Sequence, residues 1–262
     1  MNCALLNCSL SNIRRLILSL LILVILFTAP QVEAGYQEGR EAFYIGDYEQ
    51  VITELEPFVS ENPAHLNATY LLGLAYYRLD NLEEAEKYLR SAHQLAPDSI
   101  AVVNNLARVF RDRGNTAEGI AILNQFLVEQ AIGSDEEVFK DTDGLAQTYN
   151  ILGTLYLNEA DYRQAVEFLQ KAVELDESNY YAWNNLGLAF LKQGEYAQAL
   201  EPLERAVSQE PVVPYIYNNF GVVLENLGQY ERAAEAYNRA LEIDPDYQKA
   251  AANLTRVESK GK

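Results

Sequence analysis

Apolar residues recur along this chain at helical spacing, in pairs of runs separated by a tight turn. From Tyr180 to Val213 the first run carries Trp183, Leu186, Phe190 and Leu191, with Gly187 among them. Gly194 breaks the run. Tyr196, Ala199, Leu200, Leu203, Ala206 and Val207 restart it, and Pro211 ends it. Apolar positions three and four apart mark amphipathic helices, and glycine and proline mark their ends. The stretch therefore predicts two helices joined as a hairpin. Gly187 and Ala199 allow the two backbones to approach closely, while Trp183, Phe190 and Leu203 fill the remaining volume. A single hairpin of this kind leaves apolar faces uncovered, so it needs a copy on each side.

The copies are present. Ala146 to Asn179 and Pro214 to Tyr247 repeat the pattern on either side, at a period of about 34 residues. Trp183, Leu186, Gly187, Phe190, Ala199, Leu203 and Pro211 follow, with ordinary substitutions, the order W-x2-L-G-x2-Y, A-x3-F, P. In this the chain resembles the tetratricopeptide repeat family. The resemblance implies an all-α fold: a right-handed superhelical solenoid of six helix-turn-helix repeats closed by a C-terminal capping helix. Repeats one to three occupy residues 32–133 and repeats four to six residues 146–247, with the capping helix and tail at 248–262. The first repeat is weak at its start, with Gly35 and Glu38 where bulky residues belong, as suits a terminal repeat. The third departs at Gly119 and Phe126, where alanine is usual, and at Ala131, where proline is usual. Pro57 and Pro202 fall inside second helices and are expected to bend them.

Residues 134–145, SDEEVFKDTDGL, interrupt the period. Two readings stand. The insert is either a solvated acidic linker, or the flanking helices run long into it. In both it should loosen coupling between the halves, because an array has only nearest-neighbour contacts. Asp141, Thr142, Asp143 and Gly144 echo part of a calcium loop, but the rest of that pattern is missing.

Residues 1–34 read differently. Arg14 and Arg15 precede the apolar run Leu16–Phe27, and Val32-Glu33-Ala34 offers small-residue cleavage after Ala34. This is the pattern of a signal peptide for the general secretory route. The alternative is an uncleaved anchor with the arginines inside. Either way the repeats leave the cytoplasm, for a periplasm or an equivalent lumen. Cys3 and Cys8, the chain's 2 cysteines, both lie in this segment, so the repeats carry no thiol for a disulfide or a metal. Over 262 residues the net charge is −18, which argues against nucleic acid as a partner and against docking on anionic lipid by charge. Glu83, Glu84 and Glu86 show its ordinary source, the solvated outer faces of helices.

No catalytic constellation emerges. The 2 histidines, His65 and His93, have no motif partner and read as packing or surface residues. No phosphate loop, metal-ligand spacing or nucleophile elbow is found, so neither an enzyme nor a cofactor is expected. Binding is more promising. The family resemblance implies that the first helix of each repeat lines a concave groove, with its second, fifth, sixth, ninth, twelfth and thirteenth positions facing a ligand. The fifth positions hold Asn104, Asn150, Asn184 and Asn218, and the sixth hold Asn105, Asn185, Asn219 and Asn253. An asparagine amide can bond both N–H and C=O of a peptide backbone. Stacked at repeat spacing, such amides would hold an extended chain, similar to the asparagine ladder of protein O-GlcNAc transferase repeats. The competing reading is that they bond neighbouring helices. Tyr36, Arg40, Tyr44, Tyr70, Tyr77, Arg78, Arg108 and Arg111 add a basic, aromatic stretch, and Leu188 and Leu191 an apolar one. Tyrosines give rigid contact area and arginines can hold carboxylates, or else they pack between helices and pair with nearby acids. The two-carboxylate clamp of chaperone-binding repeats is absent from any three consecutive repeats. The expected partner is a peptide segment or helix of another protein, in support of complex assembly. A membrane contact would run only through an uncleaved 1–34 segment, and self-association is an alternative. So is a role as accessory subunit of an enzyme complex.

Overall fold

A computed structural model describes residues 34–133 and 141–260. The proposed export segment, with Cys3, Cys8, Arg14 and Arg15, lies outside the described residues. So do residues 134–140 of the insert and the final Gly261 and Lys262. Every regular element among the described residues is a helix: α1 (34–45), α2 (Tyr48–Glu61), α3 (Leu66–Arg78), α4 (Leu82–Leu95), α5 (Ile100–Arg113), α6 (Thr116–Gly133), α7 (Thr142–Asn158), α8 (Tyr162–Leu175), α9 (Tyr180–Gln193), α10 (Tyr196–Val207), α11 (Pro214–Asn226), α12 (Tyr230–Ile243) and α13 (Gln248–Lys260). They form two compact units, Met1–Ala96 and Pro97–Lys262. The first unit contains the hairpins α1–α2 and α3–α4. The second contains four more hairpins, capped by α13. In the second unit each first helix also packs on the first helix of the next repeat, α5 on α7, α7 on α9, α9 on α11 and α11 on α13. The expected all-α repeat stack is the architecture found.

One backbone device makes every hairpin turn. Gly46, Gly114, Gly194 and Gly228 sit at φ between 75° and 81°, one per hairpin. In the other two hairpins Asp80 and Ala160 adopt the same left-handed conformation, at φ 60° and 57°. That region strains an alanine. Ala160→Gly should therefore stabilise the fold by about 0.5–1 kcal/mol, because relief of strain outweighs the extra unfolded-state entropy. A rise in the urea midpoint would show it, and a fall would refute it.

Close approach of the two helices of a hairpin depends on a second recurring position. A methyl group placed on Gly187 would lie 2.4 Å from Leu203 Cγ, on Gly153 2.3 Å from Leu169 Cγ, and on Gly221 2.5 Å from Tyr237 Cε1. The small residue and the large one across from it form one packing unit. Leu169, Leu203 and Tyr237 are completely buried.

The third repeat's departures have a packing reason. Gly119 leaves room for Leu155 of α7, whose methyls would lie 3.1 Å from any Cβ there. Phe126 is buried in a cluster with Val103, Ala107, Leu123, Ile151, Leu152 and Leu155. With no proline at Ala131, α6 continues to Gly133. On the far side of the insert α7 starts at Thr142, capped by Asp141, whose Oδ1 accepts from Gly144 N at 2.7 Å. α7 thus enters the insert by four residues, Thr142 to Leu145, while α6 ends at Gly133, just before it. Repeats three and four share a continuous core, so the loosening expected from the insert has no counterpart in the described packing.

Candidate protein-binding site

The asparagines divide by position. Asn104, Asn184 and Asn218, at the fifth position, are buried, and Asn150 is half-buried. They act as acceptors for the next repeat. Asn185 Nδ2 donates to Asn150 Oδ1 at 3.1 Å, Asn219 Nδ2 to Asn184 Oδ1 at 3.0 Å, and Asn253 Nδ2 to Asn218 Oδ1 at 2.8 Å. Asn184 Nδ2 donates in turn to Asn185 Oδ1 at 3.3 Å, so one amide chain links α7, α9 and α11. At the repeat that follows the insert, Thr148 takes the donor's place. Its hydroxyl donates to Asn104 Oδ1 at 2.8 Å, and Asn104 Nδ2 donates to Gly144 O at 3.0 Å. Buried amides need such partners, because an unsatisfied one costs about 1–3 kcal/mol. The fifth-position asparagines therefore fix the register of neighbouring inner helices, and three of the four have no surface to offer a ligand.

The sixth-position asparagines keep a surface. Asn105, Asn185, Asn219 and Asn253 are all half-buried. Asn105 donates to Ala101 O at 2.8 Å and accepts from Arg108 at 3.3 Å. Arg108 also donates to Gln147 Oε1 at 3.0 Å, and Arg111 to Asp112 Oδ1 at 2.8 Å. Leu188 is half-exposed, whereas Leu191 packs on the cluster of Ala199, Leu203 and Val223. Tyr181 and Tyr215, at the second position of α9 and α11, are 44% and 39% exposed, and the Tyr180 ring lies 4.4 Å from that of Tyr181. Burial pushes the Tyr215 hydroxyl up, and the neighbouring Tyr181 and Tyr247 phenols push it further.

In the first unit the expected basic, aromatic stretch separates into packing and surface. Tyr36 is buried, stacked on Phe58 at 5.3 Å and against His65 at 4.5 Å, so it is a core residue rather than a groove residue. Arg40 lies 5.9 Å from the Tyr36 ring. Tyr44 is 79% exposed, Tyr70 and Tyr77 are half-buried, and Arg78 is exposed. His65 caps α3 by accepting from Ala68 N at 3.1 Å, a packing role. Glu56 accepts from the stacked Tyr76 and Tyr88 hydroxyls, at 3.0 and 3.2 Å, and burial pushes the Tyr76 hydroxyl far up.

One functional cluster escaped the sequence reading. Glu225, at the twelfth position of α11, is a buried carboxylate. It accepts two bonds from Arg256, at 2.8 and 2.6 Å, one from Tyr237 at 3.0 Å and one from Lys260 at 3.1 Å. Exposed Lys260 joins Arg256 in fastening α13 to α11. The Arg256 bonds hold the Glu225 carboxyl down at about 2, with Lys260 and Tyr237 contributing. The available signal was a lone acid on an otherwise apolar inner face, followed by two cations one turn apart on the last helix.

The comparisons agree with this geometry. A family model described as Tetratricopeptide repeat matches residues 36–100, 152–214 and 189–248. A DnaJ homolog subfamily C member 3 homolog of Dictyostelium discoideum is 23% identical over 141 residues, which cover 52% of this chain and 28% of that protein. The chain thus spans about a quarter of that relative's length. Among solved structures, PilW, titled a widely conserved type IV pilus biogenesis factor, aligns with a TM-score of 0.71 at 18% identity, covering 85% of this chain and 98% of its own. YrrB, titled a protein of this repeat type with an unusual peptide-binding site, aligns at 0.54 and 20% identity, covering 76% and 96%. The repeat period, the helix hairpins and the family match together establish that the chain belongs to the tetratricopeptide repeat family.

Proposed function

We propose that this chain is a non-enzymatic adaptor of the cell envelope, holding a segment of another protein on the inner-helix face of α7, α9, α11 and α13. One observation carries the reading: Asn185, Asn219 and Asn253 stand half-exposed on successive inner helices, beside half-exposed Leu188 and the Tyr181 and Tyr215 rings. Asn219 and Asn253 each use one N–H on the neighbouring helix, which leaves amide donors and acceptors for a peptide backbone. The likeness to PilW and the amino-terminal signal in the sequence support an envelope setting, and the likeness to YrrB supports a peptide ligand. Among the described residues no helix is long and apolar enough to cross a membrane.

The test is a cross-linked pull-down from native envelope fractions with residues 35–262. The wild type is compared with Leu188→Glu and with Asn185→Ala combined with Asn219→Ala. Leu188→Glu puts a charge on the face without breaking the amide chain. Loss of one partner from both variants, with Leu188→Glu unchanged in melting, is the expected result. An unchanged partner set in both would place binding elsewhere. Edman sequencing of the native protein separates the two envelope readings: Gly35 first means cleavage and release, and Met1 first means a tether.

A further inference from the structure

The second helices α8 and α10 flank a cleft of about 520 Å³. Trp183 and Phe190 of α9 and Pro202 of α10 line it, with exposed Glu174, Gln198 and Glu201 around them. Neither Glu174 nor Glu201 has an ion-pair partner among the described residues.

The repeats on either side show what such a cleft holds. One repeat later, the equivalent cleft between α10 and α12 is smaller, about 290 Å³, and its lining includes Tyr217, Phe220, Arg232 and Arg239. Tyr217 stands where Trp183 stands, and Arg232 where Gln198 stands. Arg232 lies 5.8 Å from the Phe220 ring and bonds Glu204 at 2.8 Å, while Arg239 lies 5.9 Å from the Tyr217 ring. One repeat earlier, Lys171 lies 5.8 Å from Tyr149, which again occupies the Trp183 position. Both flanking repeats thus seat a cation of this chain over the equivalent aromatic ring. In the middle repeat Arg205, at the position of Lys171 and Arg239, is exposed and is not part of the cleft lining. The middle cleft has the acids and the best cation-binding ring, but glutamine where the next repeat has arginine.

We propose that the α8–α10 cleft binds an arginine side chain from a basic segment of a partner protein. Tryptophan is the strongest aromatic partner for a cation, and the planar guanidinium stacks where a rounded ammonium does not. Exposed Glu174 and Glu201 supply the opposing charge at the cleft, where they can form charge-assisted bonds to a guanidinium. The cleft lies between second helices, so it is separate from the inner-helix face proposed above and stands independently of it.

Trp183 is the only tryptophan in the chain, so its emission reports this cleft alone. The experiment titrates the protein with blocked Gly-Arg-Gly and, separately, with blocked Gly-citrulline-Gly at constant ionic strength. A saturable change with the arginine peptide and none with the neutral one is expected. Glu174→Gln combined with Glu201→Gln should weaken the arginine response at least about tenfold. Gln198→Arg, which copies the next repeat, should abolish it. Equal responses to the two peptides, no saturable response, or an arginine response unchanged in the double variant would overturn the proposal. Failure of the groove pull-down would leave this titration untouched, because Leu188, Asn185 and Asn219 are not in the cleft lining.

Discussion

Gly153→Ala should destabilise this protein by about 2 kcal/mol, although alanine is the better helix former by about 1 kcal/mol. Local propensity and tertiary packing make opposite predictions here, and distance decides between them. The new methyl would lie 2.3 Å from Leu169 Cγ and 2.7 Å from Cδ2. Cγ is the branch point of the side chain rather than its mobile end, so relief requires α7 and α8 to separate or Leu169 to leave its rotamer. Leu169 is fully buried, with Ala165, Ala172 and Leu186 in the same cluster, which leaves it little room to turn. The third repeat shows that the cost depends on the crossing and not on the position. Ala107 occupies the same place opposite Leu123, and both are fully buried without a glycine. Urea unfolding of Gly153→Ala measures the effect. Leu169→Ala should then cost clearly less in the Gly153→Ala background than in the wild type, because the two changes share one volume. A midpoint that rises in Gly153→Ala would mean that propensity governs and that the hairpin is looser than described.

The second large effect centres on Glu225. Glu225→Gln should cost about 2 kcal/mol at neutral pH, the scale of hydrogen bonds to a buried charged group, since Arg256 and Lys260 are half exposed and only Tyr237 is a buried partner. The loss should concentrate in α13, because Arg256 and Lys260 reach Glu225 from that helix. Hydrogen exchange of the α13 amides is the readout, and wild-type protection in the variant would refute the latch. The same carboxylate sets a pH window. Its pKa falls from the ordinary 4.5 to about 2 on folding, so the unfolded chain takes up the proton first. A group depressed in this way contributes stability that is present above about pH 4.5 and is lost as pH falls toward 2. Wild-type stability should therefore drop more steeply than that of Glu225→Gln between those limits. Parallel curves would show that the ion cluster contributes nothing to folding.

Both effects depend on parts of the chain that were legible in different degrees. Helices, hairpins and the tetratricopeptide family could be read in the sequence, because burial imposes helical spacing on Trp183, Leu186 and Phe190 and the turn imposes glycine at Gly114 and Gly194. Gly187 and Leu203, the counterparts of Gly153 and Leu169 one repeat later, were likewise legible as small and large members of one motif. The destination of the polar residues could not. Asn184 and Asn185 are neighbours in sequence and equivalent in chemistry, yet one is buried as an acceptor for Asn219 and the other keeps a half-exposed surface. Which amide turns toward the adjacent repeat depends on the rotation of α9 against α7 and α11, which no local pattern encodes. Tyr36 shows the same limit, since its burial depends on Phe58 and His65 arriving from the next helix and turn.

The sequence by itself determined the repeat, its period, its turns and the apolar core, because these follow from short-range spacing and from the need of each hairpin for a neighbour. Tertiary structure alone decided where charge and amide groups end up. Glu225 meets Arg256 and Lys260 across more than thirty residues of chain, the asparagines meet one repeat away, and among the described residues no cation lines the Trp183 cleft, although Lys171 and Arg239 lie near the equivalent rings of the flanking repeats. Side chains this long and polar are placed by the packing angle between helices. That angle is fixed only when the whole stack assembles.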